Sequence, residues 1–250
     1  MKKLFLFIFL FGVAHIACAQ KLYVVSVGIA DYKDSQVNDL RFTEADVVSF
    51  NTVINKHTDE VYTMLGSNAT CSNVYRCINQ VFAKAKSDDA VMFFFSGHGY
   101  PGGFCCYDTS RRTGVLTYAD IASLFKRCKA NRKMVFADAC FSGGLRKENK
   151  RNTASSEIRN ADVMFFLSSR TNETSQEMIG GPNGQFTRFL VRGLGGGADK
   201  NRDRIISAKE LYDFVHKGVS IATGNKQHPV MWGRFDNEMS VLNWNRSNKK

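Results

Sequence analysis

Proline is nearly missing from this chain, with 3 in 250 residues, and tryptophan occurs only 2 times. Scarce proline beside 20 glycines excludes a collagen repeat and a Pro-rich linker. There is no internal repeat, no coenzyme-binding motif and no nucleic-acid-binding motif, and no Lys/Arg run carries interleaved aromatics. Acidic residues are in deficit: 34 Lys and Arg face 23 Asp and Glu, a formal charge of +11. Without a nucleic-acid motif that balance reads as a solvated basic surface with some pull towards anionic surfaces. Nucleic acid is therefore not an expected partner. A second long apolar run is also lacking, which excludes a bundle of membrane-spanning helices. What remains is ordinary for a globular chain, 44% hydrophobic and 23% charged. Its length suits one domain that buries about 70–75% of its unfolded surface.

The one long apolar run opens the chain. Lys2 and Lys3 precede the apolar stretch Leu4 to Ala14, and Ala17-Cys18-Ala19 supplies small residues for a signal peptidase. Residues 1–19 therefore read as a secretory signal, too short and wrongly flanked for a spanning helix, and residues 20–250 as the exported domain. Cleavage would remove Lys2 and Lys3 and leave a charge of +9 with no transmembrane segment. Cys18 admits a second reading, a lipoprotein anchor. That processing generally asks for a Leu-like residue three positions earlier, where this chain has His15. The expected address is periplasm, cell surface or medium. Six cysteines follow the leader: Cys71, Cys77, Cys105, Cys106, Cys128 and Cys140. An oxidising compartment permits disulfides without requiring them in a domain this large. Cys71 and Cys77 can bridge if their backbones approach.

Short apolar runs without alternation, Leu22–Ile29, Val61–Leu65, Ala90–Ser96, Lys133–Ala137 and Val163–Ser168, read as strands covered on both faces. Helical spacing separates them. Helices are expected over Thr43–His57, opening on Thr43-x-x-Asp46 as a near capping box, and over Ser72–Lys86 with Ser72 as N-cap. Others are expected over Thr117–Lys129, Gln185–Leu194 and Ala208–Ala222, the last led by Ser207-x-x-Glu210. This alternation predicts an α/β fold, a three-layer α/β/α sandwich on a mostly parallel sheet. The polar, basic stretch 145–160 has no apolar face and reads as an exposed flexible linker.

Two strand-like runs end among glycines in residues that can do chemistry. One ends Ser96-Gly97-His98-Gly99-Tyr100, the other Asp138-Ala139-Cys140-Phe141-Ser142-Gly143-Gly144. In open α/β sheets ligands bind at the carboxyl ends of strands, and glycines let a substrate backbone approach. A thiol is nucleophilic as thiolate, a form that a nearby imidazole favours. Singly, a buried Cys is more often a small core residue and a His a structural one; together, at the tips of adjacent strands, they suit covalent acyl transfer.

SGHGY and DACFSGG, 42 residues apart from His98 to Cys140, resemble the two active-site signatures of the caspase/metacaspase family of cysteine peptidases. The family's own separation is about 50. YVVSVGIADYKD with NDLRFTEADV is similar to the family's first strand and helix, FFLSSRTNETSQE to its fifth strand and loop, and GQFTRFLVRGLGG with ISAKEL to bacterial caspase-like domains. The resemblance implies a central sheet of about six strands and a cysteine endopeptidase. It casts Cys140 as nucleophile and His98 as its proton-transfer partner, with the backbone N–H groups of Gly99 and Cys140 as oxyanion hole. No third triad member is evident.

Caspases carry Gln two residues before the nucleophile. This chain has Asp138, in an Asp-Ala-Cys motif closer to metacaspases. A carboxylate there suits a basic substrate side chain, and Asp31 in GIADY is a second wall for such a pocket. Peptides or proteins cut after Arg or Lys are the expected substrates. Asp138 can instead orient its loop, and Asp31 can cap the turn after its strand. A basic-specific peptidase could nick its own linker at Arg146, Lys147, Lys150 or Arg151.

A second constellation is an EF-hand-like run. Asp199, Asn201, Asp203, Ile205 through its carbonyl, Ser207 and Glu210 occupy the positions that ligate calcium. Arg204 stands where glycine makes the sharp turn, and no partner hand exists, so a turn that caps the next helix is the other reading. No cofactor is needed for the chemistry; calcium is the one candidate. A catalytically silent caspase-like module that binds a partner or calcium is the alternative function.

Overall fold

The five apolar runs all become strands of one sheet, four of them in its interior and buried on both faces, with β2 (Val61–Leu65) at an edge. These are β1 (Leu22–Gly28), β2 (Val61–Leu65), β3 (Ala90–Tyr100), β6 (Arg132–Cys140) and β7 (Met164–Leu167). The computed structural model describes residues 20–110, 113–140, 162–169 and 183–246, without the side chains of Cys140 and Arg246. The expected leader, 1–19, and the basic linker, 145–160, lie outside the described residues, as does the run from Arg170 to Glu177.

The sheet order is β2-β1-β3-β6-β7-β9. Neighbours are parallel until the last pair, where β9 (Val230–Trp232) runs antiparallel to β7. The sandwich on six mostly parallel strands is thus the observed architecture. The hairpin β4 (Gly103–Cys105) and β5 (Val115–Thr117) hangs from the end of β3. A small ladder pairs β8 (Ile205–Ser207) with β10 (Ser240–Asn243). No helix among the described residues is long and apolar enough to cross a membrane.

Strand side chains alternate between faces, and the two cores divide accordingly. Odd-numbered residues of β3 and β6, such as Phe93, Phe95, Val135 and Ala137, pack with α2 (Cys71–Phe82) and α3 (Tyr118–Arg127). Even-numbered ones, Met92, Phe94, Met134 and Phe136, pack with α1 (Thr43–Ile54), α4 (Gln185–Arg192) and α5 (Ala208–Ala222). Phe94 stacks on Phe50 of α1 with ring centroids 4.2 Å apart. Burying each such ring stabilises the fold by roughly 1.5–3 kcal/mol.

Helix starts follow local chemistry with two corrections. Thr117 and Ser207 each form a full capping box, with Asp120 and Glu210 respectively. At α2 the cap is Thr70, whose side chain accepts from the Asn73 N–H, rather than Ser72. At α1 there is no side-chain cap at all, because the N-cap is Phe42 rather than Thr43, and Asp46 is hydrogen-bonded into the protein by Ser96. What draws it inward lies at the carboxyl end of the sheet.

Candidate active site

β3 and β6 run side by side until His98 and Cys140, which are register partners at the ends of the shared ladder. Adjacent strands lie about 4.8 Å apart, so the two residues are neighbours. Beyond His98, Gly99 and Tyr100 pair with Phe104 and Gly103 of β4. Gly99, expected as an oxyanion donor, is thus the first residue of β3 paired with β4; the Cys140 thiol lies outside the described residues.

His98 is 4% exposed and held from three sides. Its backbone N–H donates to the Tyr32 hydroxyl at 2.7 Å, and the Tyr32 ring packs against the imidazole, centroids 5.0 Å apart. Its Nε2 lies 2.6 Å from the backbone carbonyl of Asn38. A carbonyl oxygen only accepts, so Nε2 carries the proton and Nδ1 is the ring's basic nitrogen. Asn38 thereby fixes the orientation and tautomer of the imidazole through its main chain. No residue type marks such a position, which is why the sequence does not show it. Tyr32 follows Asp31 at the end of the first strand segment, and its hydroxyl is a signal visible only once the loop is folded over β3.

Gly97 makes room for this arrangement. A Cβ there would lie 2.8 Å from the Phe95 ring and 3.0 Å from the Tyr32 hydroxyl. Gly97→Ala is expected to push Tyr32 off the His98 amide and lower kcat/KM by about 10–100-fold, since misplacements near 1 Å carry such penalties. Steady-state kinetics on a protein with unchanged circular dichroism would check it. Behind Cys140, the Ser168 hydroxyl accepts from the Ala139 N–H and donates to the Ala139 carbonyl, both at 3.1 Å, fixing the tip of β6.

Asp138 and Ser96 are register partners on the even face, which α1 and α4 cover. Asp138 is 8% exposed, and one of its oxygens accepts from both the N–H and the hydroxyl of Thr187, at 3.0 and 2.9 Å. Thr187 lies in the first turn of α4, whose N-cap, Gly184, has no side chain to offer. Asp138 therefore caps α4 from another strand, a placement that the helix dipole favours. Glycine lets the carboxylate approach, because a Cβ at residue 184 would lie 2.4 Å from Asp138 Oδ2 and displace it.

Asp46 joins the same cluster. It accepts from the Ser96 hydroxyl at 2.8 Å, the Asn183 side-chain amide at 3.0 Å and the Gly184 N–H at 3.0 Å. Burial pushes its carboxyl up to about 8, and the negative Asp138 adds to the rise, while these hydrogen bonds oppose it. Asp46 is the residue that sequence reasoning placed in a capping box; its apparent role at the start of α1 disguised a link from α1 to α4. Asp31, by contrast, is exposed on the loop after β1.

The Asp199 loop is organised around its own amides. Asp199 Oδ2 accepts from the Arg204 N–H at 3.0 Å, Asn201 Oδ1 from the Asp203 N–H at 3.0 Å, and Asp203 Oδ1 from the Ile205 N–H at 2.7 Å. Glu210 is engaged by Ser207 and by the Lys200 and Asn201 N–H groups. Arg204 takes the left-handed conformation, φ 66°, that glycine generally supplies at this point. Among the described residues no three His, Cys, Asp or Glu are grouped to hold a metal ion. The six sequence-predicted ligands thus lie in one loop–strand–helix segment, where Asp199 Oδ2, Asn201 Oδ1, Asp203 Oδ1 and the Glu210 carboxylate are engaged by backbone and capping bonds, while Asp199 Oδ1 is buried without a hydrogen-bond partner. A groove of about 480 Å³ between β2 and α2, lined by Tyr62, Arg76 and Lys84 among others, contains none of the sequence-predicted catalytic residues.

A family model described as caspase domain matches residues 22–238. Among solved structures, a protein from Geobacter sulfurreducens superimposes with a TM-score of 0.64 at 19% identity, covering 92% of this chain and 100% of that one. Caspase-1 from Spodoptera frugiperda superimposes with a TM-score of 0.65 at 16% identity, covering 86% and 87%. At such identities the likeness speaks for the fold. No curated protein matches the chain.

Proposed function

The chain belongs to the caspase-domain family, and from that premise we propose that it is an exported cysteine endopeptidase that cleaves after Arg or Lys. The observation that carries this reading is the register pairing of His98 with Cys140 at the carboxyl ends of β3 and β6, with His98 held by Asn38 and Tyr32. In the proposed reaction His98 Nδ1 takes the Cys140 proton, and the thiolate sulfur attacks the scissile carbonyl carbon. The Gly99 and Cys140 N–H groups receive the developing oxyanion. The imidazolium then protonates the leaving amine, and water hydrolyses the thioester with His98 again as base. These steps require no metal.

The basic preference rests on Asp138 as the buried anionic base of the pocket and the exposed Asp31 as its rim. Asp138 is oriented by Thr187, and pairing with a substrate guanidinium is the part of the reading that the Arg and Asp peptides test. Carboxylate–guanidinium pairing favours Arg over neutral residues. Export rests on the leader at residues 1–19, and self-cleavage on the basic linker 145–160.

Paired fluorogenic peptides ending in Arg and in Asp, with and without calcium, test the reading. The Arg peptide is expected to be cleaved and the Asp peptide not. Asp138→Asn is expected to raise KM for the Arg peptide and lower kcat/KM about 100-fold. Preference for the Asp peptide would overturn the pocket. Inactivity of wild type under every condition, the linker cut included, would favour the silent binding module. A calcium-dependent rate would return the Asp199 loop to consideration.

A further inference from the structure

The cysteine pairing that the sequence suggested does not fit. Cys71 and Cys77 stand on one helix, α2, six residues apart. Six residues of helix rise about 9 Å, beyond the roughly 7 Å that a disulfide spans between Cα atoms. All of Cys71, Cys77, Cys105, Cys106 and Cys128 carry free thiols. The Cys71 thiol meets a different partner. Its neighbour in space is Cys106, which follows β4 and is buried in the core cluster that Cys71 packs against.

Main-chain ties hold the two segments together on either side of this contact. The Tyr107 N–H donates to the Ala69 carbonyl at 3.0 Å, and the Cys71 N–H donates to Asp108 Oδ1 at 2.8 Å. Cys106 itself is anchored by its N–H to the Gly114 carbonyl at 2.9 Å. The thiols are therefore neighbours in a braced framework rather than on two loose loops. They also differ. Cys71 is partly exposed at the first turn of α2, where the helix dipole favours an anion. Cys106 is 1% exposed.

We propose that Cys71 and Cys106 are a dithiol that closes to a disulfide in an oxidising compartment, with Cys71 as the attacking thiol and Cys106 as the resolving one. The Cys71 thiolate attacks one sulfur of an external disulfide, either a small molecule or an oxidase's, and expels a thiolate. That thiolate takes the Cys106 proton. Cys106 then attacks Cys71 Sγ in the mixed disulfide and expels the second thiolate, which is protonated from solvent. Two protein thiols lose two electrons, and one external disulfide becomes two thiols. The contact with Cys106 holds the Cys71 thiol below its ordinary range, against burial and the nearby carboxylates of Asp108 and Asp120. The same contact and burial push Cys106 up, which suits a thiol that reacts only with its neighbour.

The bridge would tie the hairpin that extends the His98–Gly99 strand to the start of α2. It would close a loop of about 35 residues, for which chain-entropy arguments give a Tm rise of about 10 °C in a domain this size. The oxidant, not the geometry, rests on the export reading above. The full chain carrying Cys140→Ala, which removes self-cleavage, would be equilibrated with oxidised and reduced glutathione, digested without reductant and mapped by mass spectrometry. The expected result is one linked peptide pair containing Cys71 and Cys106, a mass loss of about 2 Da and the Tm rise. Both are expected to vanish in Cys71→Ser. Two alkylatable thiols at 71 and 106 after oxidation, or linkage elsewhere, would overturn the pair without using any folding-sensitive variant. Chain recovered outside secreting cells with the bridge formed supports the proposal in its compartment. Chain retained inside the cells with a reduced pair, the bridge still forming in glutathione, would overturn the export premise and leave the pair intact.

Discussion

His98→Ala is expected to lower kcat/KM for the Arg peptide about 1,000-fold or more, and Cys140→Ala to leave only background hydrolysis. General acid–base catalysis alone is worth about 100–10,000-fold, and in the proposed reaction His98 serves both the attack and the departure of the amine. Its value depends on the tautomer that the Asn38 carbonyl selects by accepting from Nε2. Residues that act as one unit are strongly non-additive. The double variant is therefore expected to fall within a few-fold of Cys140→Ala alone. Steady-state kinetics on the two single variants and the double variant would decide it. Activity of His98→Ala within tenfold of wild type would remove His98 from the chemistry.

The second large effect concerns stability against pH. The Asp46 carboxyl is raised from its ordinary 3.8 to about 8 by burial and by the charge of Asp138. In the folded protein it holds a proton that the unfolded chain has already released above about pH 4. Its favourable contribution is thus fully present below that pH and is lost as pH rises through about 8. Across that window this one group lowers the unfolding free energy by about 1.4 kcal/mol per pH unit. Asp46→Asn keeps the size and polarity of the protonated side chain and cannot ionise. Urea unfolding of wild type at pH 5, 6, 7 and 8 is expected to weaken steadily relative to the variant, whose curve lacks this slope. Parallel curves would show that Asp46 is ionised throughout.

Asp46 also shows where the sequence misleads. Its spacing from Thr43 suits a capping box, and a capping carboxylate at that point would be exposed. The residue is instead 2% exposed and hydrogen-bonded to residues 50 and about 137 positions away. Thr117 and Ser207, by contrast, cap their helices as their spacing says, because both partners lie within one turn and nothing else competes for them. The comparison with Cys71 is similar. A partner six residues away is visible in the sequence and excluded by helix geometry, while the thiol it meets belongs to a hairpin beyond β3.

Local chemistry therefore determined much of this protein by itself. Unbroken apolar runs require strands covered on both faces, helical spacing between them requires crossovers, and these together require a three-layer sandwich. Glycine-flanked His98 and Cys140 at the ends of two such runs were legible because reactive residues among glycines stand out against an apolar strand. Only the tertiary structure decided which strands are neighbours, and so that His98 and Cys140 are register partners. It alone supplied Asn38 as the orienting carbonyl, Tyr32 as the clamp, Asp138 as the cap of α4 and Asp46 as its buried companion. Those roles depend on backbone groups and on distances in space between residues far apart in the chain. A sequence records residue types and spacing, and neither specifies which distant carbonyl, amide or thiol a side chain will meet once the sheet has closed around it.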